Sequence, residues 1–172
     1  MLKISGAFLC IAGCAGYGFL KIKGWKEELK ALQQWIFLFQ KIKSRIFYQK
    51  EPLEESCIWI GEKEKGEWGA LLRKIGVLAR KNRQKEISLI WREEIEAWGR
   101  QNRQLKRVQE ILLQFPEYAK EADEELQMNL FSFYLEELNR EKVLLERQIQ
   151  EKQKPVMAVS LIGGIMVSIL LL

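Results

Sequence analysis

Apolar residues recur every three or four positions along most of this chain, which is the spacing of amphipathic helices. Between residues 25 and 50 the stripe contains Leu29, Leu32, Ile36, Phe39 and Ile46. Comparable stripes predict further helices at about 53–60, 67–80, 85–98, 101–115 and 119–151. No segment alternates apolar and polar residues as a half-buried strand does. The pattern therefore predicts an all-α protein, a bundle of about six helices whose apolar faces pack together.

Prolines and glycines mark the expected helix ends. Pro52 suits the first turn of a helix, where its missing N–H needs no partner. Gly99 is expected to close the fourth helix and Pro116 to interrupt the fifth. Pro155 is expected to separate the sixth helix from the apolar C-terminal end of the chain.

The sixth predicted helix has a heptad seam with one charged member. Its positions are Met128, Phe131, Leu135, Leu138, Lys142, Leu145 and Ile149. Such a seam is typical of the inner face of a bundle or of a coiled-coil surface for a partner. The sequence leaves both interpretations open.

Two uncharged runs, residues 4–20 and 155–172, enclose this charged region. Each is about as long as a helix that crosses a bilayer core, roughly 17–25 residues. We therefore predict an N-terminal transmembrane helix (1–20), a helical-bundle domain (21–154) and a C-terminal transmembrane helix (155–172). Lysines are enriched on the cytoplasmic flank of membrane helices, and here they follow the first run and precede the second. The bundle domain is therefore predicted to lie in the cytoplasm. The flanking residues are Lys21, Lys23, Lys152 and Lys154.

The N-terminal run has two other interpretations. A secretory signal peptide would have its charge before the apolar stretch, whereas the lysines here mainly follow it. Residues 11–14 resemble a lipoprotein box with Cys14 as the acylated residue, although the chain stays apolar to Leu20. A retained membrane helix fits best. Its small residues, together with Gly163 and Gly164, would let the two membrane helices pair.

Missing residue types exclude several kinds of chemistry. The chain has no His and no Thr, and Asp123 is its single Asp. A Ser-His-Asp triad, a Cys-His pair and a His-containing zinc site are therefore ruled out. Cys57, the one cysteine of the central domain, is interpreted as a small buried hydrophobe. We expect no catalytic activity, no cofactor and no metal, and also no nucleic-acid binding, because no recognition module is present.

Charge is divided unevenly along the central domain. Residues 73–107 contain 11 bases and 4 acids, a net charge of +7, and residues 110–151 contain 11 acids and 4 bases, a net charge of −7. Either the two halves attract each other within the bundle, or one of them meets a charged partner and steers its docking.

Two short motifs resemble those of stage III sporulation protein AB of endospore-forming bacteria. Residues 45–53 fit a family segment of the form Glu-Ile-x-Tyr-x-x-x-Pro-Leu, matching it at Tyr48, Pro52 and Leu53 but with Arg45 in place of the acid. Trp91 resembles a family tryptophan. A second segment, Leu-Gly-x-x-Leu-Gly-x-x-Asp-x-x-x-Gln, matches at Asp123 and Gln127, whereas both Leu-Gly pairs are lost. The resemblance extends over essentially the whole chain.

The resemblance implies a non-catalytic platform like the cytoplasmic domain of the platform protein in type II secretion and type IV pilus machines. It places the chain in the mother-cell membrane facing the forespore, within a secretion-like channel. The implied partners are a secretion-type ATPase, other membrane proteins of the channel complex, the lipid bilayer and further copies of the chain. The alternative is a membrane-anchored coiled-coil adaptor or lipoprotein unrelated to sporulation.

Overall fold

The computed structural model describes residues 2–119 and 123–171, and these residues form six α-helices and contain no strand. Within these ranges the structure does not describe the side chains of residues 2–12, 14, 15, 104, 117–119, 161, 164, 165 and 167–171. The prediction of an all-α chain is confirmed. The helices are α1 (Leu2–Tyr48), α2 (Leu53–Lys63), α3 (Glu67–Lys81), α4 (Ile87–Gln101), α5 (Lys106–Ala119) and α6 (Glu124–Leu171), with a 3₁₀ turn at Arg103–Leu105.

The chain divides into two compact units. The first, here called the bundle unit, is Lys30–Lys142. The second, the terminal unit, combines Met1–Leu29 with Val143–Leu172. The predicted boundaries at residues 20 and 154 stay predictions, because this division concerns packing and not the membrane.

Three expected helix breaks are absent, and a fourth expected helix end, at Gly99, is displaced. Helix α1 runs unbroken through the lysines that follow residue 20, because Lys and Leu are good helix formers. Helix α6 continues through Pro155, and α5 continues past Pro116 to Ala119. A proline inside a helix removes one hydrogen bond, and neighbouring donors can compensate for that loss. Gly99 lies inside α4, which ends at Gln101.

Aromatic residues of α1 form the centre of the bundle unit. The ring of Trp35 lies 5.6 Å from that of Trp91 in α4, and the ring of Phe39 lies 5.3 Å from that of Phe115 in α5. Phe39 also stacks on Phe131 of α6, with ring centroids 5.2 Å apart. All five rings are almost completely buried. They are packing residues, as their helical spacing predicts.

Glycines bring α2 and α3 unusually close together. A Cβ atom on Gly76 of α3 would lie 2.5 Å from the carbonyl oxygen of Glu54 and 2.8 Å from the Ile58 side chain of α2. A Cβ atom on Gly69 would lie even closer to the carbonyl oxygen of Glu64, so neither position has room for a side chain. The two helices therefore pack backbone against backbone as a hairpin.

Two carbonyl groups near the end of α5 accept hydrogen bonds from aromatic side chains. Pro116 has no N–H, so the carbonyl of Leu112 loses its usual partner four residues ahead. The indole Nε1 of Trp91 donates to that oxygen at 2.9 Å. The hydroxyl of Tyr134 donates to the Ile111 carbonyl at 3.0 Å. Side chains of α4 and α6 thus stabilise the last turns of α5.

The heptad seam of α6 faces the interior over most of its length. Phe131, Leu138, Leu145 and Ile149 are buried, whereas Met128 is 38% exposed. Leu135 packs partly buried against the core. Within the bundle unit the seam is therefore an inner face, as the first of its two interpretations predicts.

In the terminal unit, α1 and α6 approach each other at Gly18. A Cβ atom at that position would lie 2.6 Å from the Ser160 hydroxyl, so the glycine permits close packing. Most side chains of the predicted membrane helices lie outside the described residues. Among the residues that are described, no helix is both long and apolar enough to cross a bilayer.

The Trp91 bond leads to a prediction about stability. Trp91→Phe keeps an aromatic ring but leaves the Leu112 carbonyl buried without a donor. We expect the free energy of unfolding to fall by about 1–3 kcal/mol. Denaturant titration of the full chain in detergent, followed by circular dichroism, measures this loss.

Pro116→Ala provides the matched background, because it restores a backbone N–H that can bond to the Leu112 carbonyl. In that background Trp91→Phe should lower the free energy of unfolding by less than half as much as it does in the natural sequence. An equal loss in both backgrounds would assign the effect of Trp91 to ring packing alone.

Candidate functional site

The structure brings together two of the residues singled out in the sequence, Leu53 and Trp91. Both line a cleft of about 470 Å³ at the junction of α2, α4 and α5. Leu53 is the first residue of α2, and Trp91 lies in the second turn of α4. The remaining lining residues are Glu86, Ile87, Ser88, Phe115 and Pro116.

The floor of this cleft is rigid. Trp91 and Phe115 pack against each other with ring centroids 4.6 Å apart, and both belong to the aromatic core. The indole N–H of Trp91 is also fixed on the Leu112 carbonyl. A pocket with this volume and a mostly apolar lining suits a large apolar side chain or a small apolar ligand.

A second, shallower groove lies beside the cleft. It has a volume of about 860 Å³ and is lined by the end of α3, the loop that follows it and the first turn of α4. Glu86 lines both depressions, so their surfaces are continuous. Leu89, which is 50% exposed, contributes an apolar side chain. The other lining residues are Arg80, Lys81, Asn82, Arg83, Gln84 and Lys85.

The remaining motif residues have separate positions. Tyr48 is 79% exposed at the end of α1, and Pro52 is exposed immediately before α2. Asp123 caps α6, because its Oδ1 accepts a hydrogen bond from the Leu126 N–H at 2.8 Å. Gln127 lies one turn further along and is half-buried. Asp123 therefore has a clear structural role at the start of α6.

Arg45 is a buried cation whose environment the sequence analysis missed. Its Nη2 donates to Glu51 Oε1 at 2.6 Å, and its guanidinium carbon lies 3.9 Å from the centre of the Trp59 ring. The Glu51 N–H also donates to the Arg45 carbonyl at 3.2 Å, across a turn in which Lys50 has a φ of 56°. The acid six residues further along the chain, Glu51, is the sequence signal from which this ion pair could have been predicted. The pair and the stacked ring stabilise the α1–α2 turn.

Cys57 lies in the core of the bundle unit. Its side chain is completely buried, and burial raises the pKa of the thiol to about 12, with the nearby Glu54 carboxylate adding to the shift. A neutral thiol is a poor nucleophile. The prediction that Cys57 is a small buried hydrophobe agrees with this environment. Among the described residues, no group of His, Cys, Asp and Glu side chains could hold a metal ion.

The lysines predicted to flank the membrane belong to the terminal unit. All four are exposed: Lys21, Lys23, Lys152 and Lys154. Lys23 pairs with Glu27 at 3.8 Å, and the Lys21 ammonium lies 5.9 Å from the Trp25 ring. Their charges are available to solvent or to an anionic surface.

Burial of Cys57 predicts its reactivity. In full chain carrying Cys10→Ala and Cys14→Ala, a thiol reagent at about pH 8 should react with Cys57 only after denaturation. Spectrophotometric titration with and without guanidinium measures this difference. Rapid labelling of the folded protein would contradict the buried position.

The raised pKa of Cys57 also sets the sign of a pH effect. Because the pKa of Cys57 in the folded chain lies above its ordinary value of 9.0, the neutral thiol stabilises the fold below about pH 9. This stabilisation is lost as the pH rises from 9 toward 12. The stability advantage over a Cys57→Ala variant should therefore shrink between about pH 9 and pH 11, as denaturant titration at each pH would measure.

The comparisons with known proteins identify a family. No curated protein and no solved structure matches the chain. The family model for stage III sporulation protein AB, in contrast, matches residues 3–172. The match covers the bundle unit, the cleft and nearly all of the terminal unit. This chain belongs to the stage III sporulation protein AB family.

Proposed function

We propose that this chain is a non-catalytic, membrane-anchored platform of the sporulation channel between mother cell and forespore, and that it docks a secretion-type ATPase. Membership of the family implies a role in sporulation, which argues against an adaptor unrelated to that process. The observation that carries the anchoring part is the exposed apolar surface of the terminal unit.

That surface extends along both helices of the terminal unit. Large apolar side chains are exposed at Tyr17, Phe19 and Leu20 of α1, and at Met157, Val159, Ile162 and Met166 of α6. Seven large apolar side chains exposed on two helices are unusual for a soluble monomer, and apolar surface of this amount is usually covered by a partner or a membrane. The uncharged runs of the sequence favour lipid hydrocarbon as that cover.

Two further features support a pair of membrane helices. Close packing of Gly18 on Ser160 is typical of membrane helices, which approach through small residues. The exposed lysines at 21, 23, 152 and 154 then lie at the ends of both runs that adjoin the central domain. Lysines at this position favour a cytoplasmic bundle unit and also attract anionic lipid headgroups.

The charge of the bundle unit supports docking of a protein partner. Arg107 and Lys106 pair with Glu141 and Glu110 of the acidic segment. In contrast, Lys74, Lys85 and Arg80 pair with Glu94, Glu93 and Glu55. These last acids lie outside the acidic segment. The basic segment is thus not simply neutralised by the acidic one, and charge remains available to steer an acidic partner.

The docking proposal predicts direct binding. Full chain in detergent should co-elute with the cognate sporulation ATPase in size-exclusion chromatography. Binding should weaken at about 1 M salt, where the Debye length is only about 3 Å. An unrelated membrane protein with two helices serves as the control. No binding at low salt, together with normal sporulation of a deletion strain, would refute the proposal.

The anchoring proposal predicts a topology. Cys57 is unsuitable as a probe because it is buried, so the label belongs at the exposed Ser44 of α1. Ser44→Cys, in the Cys10→Ala and Cys14→Ala background, should resist a membrane-impermeant thiol reagent in intact cells. The same residue should label after permeabilisation. Equal labelling in both samples would place the bundle unit outside.

A further inference from the structure

We propose that the cleft and the basic groove beside it form one docking site for an acidic amphipathic segment of a partner protein. The partner's apolar side chain enters the cleft, and its carboxylates contact the loop between α3 and α4. This inference rests on the proposed function, which makes the partner a protein of the channel complex.

The first turns of α4 join the two depressions. Ile87 and Ser88 line the cleft, whereas Leu89 lines the groove, and Glu86 lines both. A segment lying across these residues therefore contacts an apolar surface on one side and a basic surface on the other. That division matches the two faces of an amphipathic helix.

The groove has an excess of positive charge. Its lining contains four bases, all within residues 80–85, and one acid, Glu86. The pairs Arg80–Glu55, at 3.7 Å, and Lys85–Glu93, at 2.6 Å, are largely solvent-exposed. Exposed pairs of this type hold their partners weakly. Lys81 and Arg83 are exposed as well, so four cations can meet carboxylates of a partner.

The cleft supplies a preformed apolar anchor site. Its accessible apolar surface comes from the half-buried Leu53 and Ile87, and the buried rings of Trp91 and Phe115 behind it belong to the packed aromatic core. A rigid site loses little conformational entropy on binding. Apolar anchors that enter such pockets typically supply most of the energy of a protein interface.

Other occupants fit the observations less well. Nucleic acid binds best to open aromatic faces, and neither depression has an exposed aromatic ring among the described residues that line it. A second copy of this chain would offer α6 as its acidic helix. The α6 seam residues Phe131 and Leu138, however, are buried in the core of their own copy, and Glu141 already pairs with the partly buried Arg107. A separate acidic segment therefore suits the groove better.

Photo-crosslinking tests the occupant directly. Full chain with benzoylphenylalanine in place of Leu89 is produced in sporulating cells and irradiated, and adducts are mapped by mass spectrometry. We expect an adduct on a protein segment that combines Asp or Glu with a large apolar residue. Benzoylphenylalanine at the exposed Tyr48, which does not line the cleft, is the control position. Adducts only with lipid, nucleic acid or the chain itself, or no adduct, would overturn the proposal.

Charge reversal tests the groove. Lys81→Glu with Arg83→Glu should reduce the adduct and the number of heat-resistant spores by about tenfold or more. Arg100→Glu with Arg103→Glu makes the same charge change in the same basic segment, on exposed residues outside the groove. The control pair should have little effect. Circular dichroism and unfolding midpoints establish that both variants fold, and equal effects of the two pairs would overturn the proposal.

The outcomes separate this inference from the proposed function. If the ATPase binds full chain and the Lys81→Glu, Arg83→Glu variant equally well, the docking site is wrong and the platform proposal stands. If the adduct lies on an acidic segment of another protein and the ATPase does not bind, the site stands and the ATPase assignment fails.

Discussion

The hydrogen bond from Trp91 to the Leu112 carbonyl connects sequence, packing and candidate site in this protein. Pro116 removes the backbone donor that would normally satisfy this carbonyl, and the indole replaces it at 2.9 Å. A buried carbonyl without a partner costs about 1–3 kcal/mol, so the bond constrains both helices. It holds α4 against α5 at the place where their residues form the cleft. The orientation of the cleft floor therefore depends on a proline and a tryptophan that are 25 positions apart in the chain.

The same bond anchors a larger aromatic network. Trp35 donates to the Tyr134 hydroxyl at 3.2 Å, and that hydroxyl donates to the Ile111 carbonyl. Helices α1, α4 and α6 thus each contribute an aromatic side chain to the packing or hydrogen bonding of α5. Large rings with fixed polar ends restrict how the helices can rotate, because each ring must both pack and bond. A rigid end of the bundle results from this arrangement.

Helical periodicity predicted the all-α class, the core faces and, within about three residues, the ends of α2, α3 and α4, because burial of an apolar stripe is a local property of the sequence. Helices α5 and α6 both begin about five residues later than predicted. The start of α3 at Glu67 and the start of α2 at Leu53 were predicted correctly. Pro116 and Pro155 misled the prediction, since both lie inside helices; at Pro116 the indole of Trp91 replaces the lost donor. Trp91 was singled out, but its bond could not be predicted because it depends on tertiary packing. The burial of Arg45 was missed for the same reason.

The opposite charges of residues 73–107 and 110–151 gain a spatial meaning from the structure. Net charge along a sequence does not say which groups meet, because helices place neighbouring residues about 100° apart and distant residues side by side. Arg107 joins the acidic segment, whereas Arg80 in the last turn of α3 and Lys85 in the α3–α4 loop pair with the largely exposed Glu55 and Glu93. Since exposed pairs exchange partners at little cost, that loop keeps a positive field. The field lies beside the apolar cleft whose floor the aromatic core holds rigid, so charge can steer a partner and the cleft can retain it.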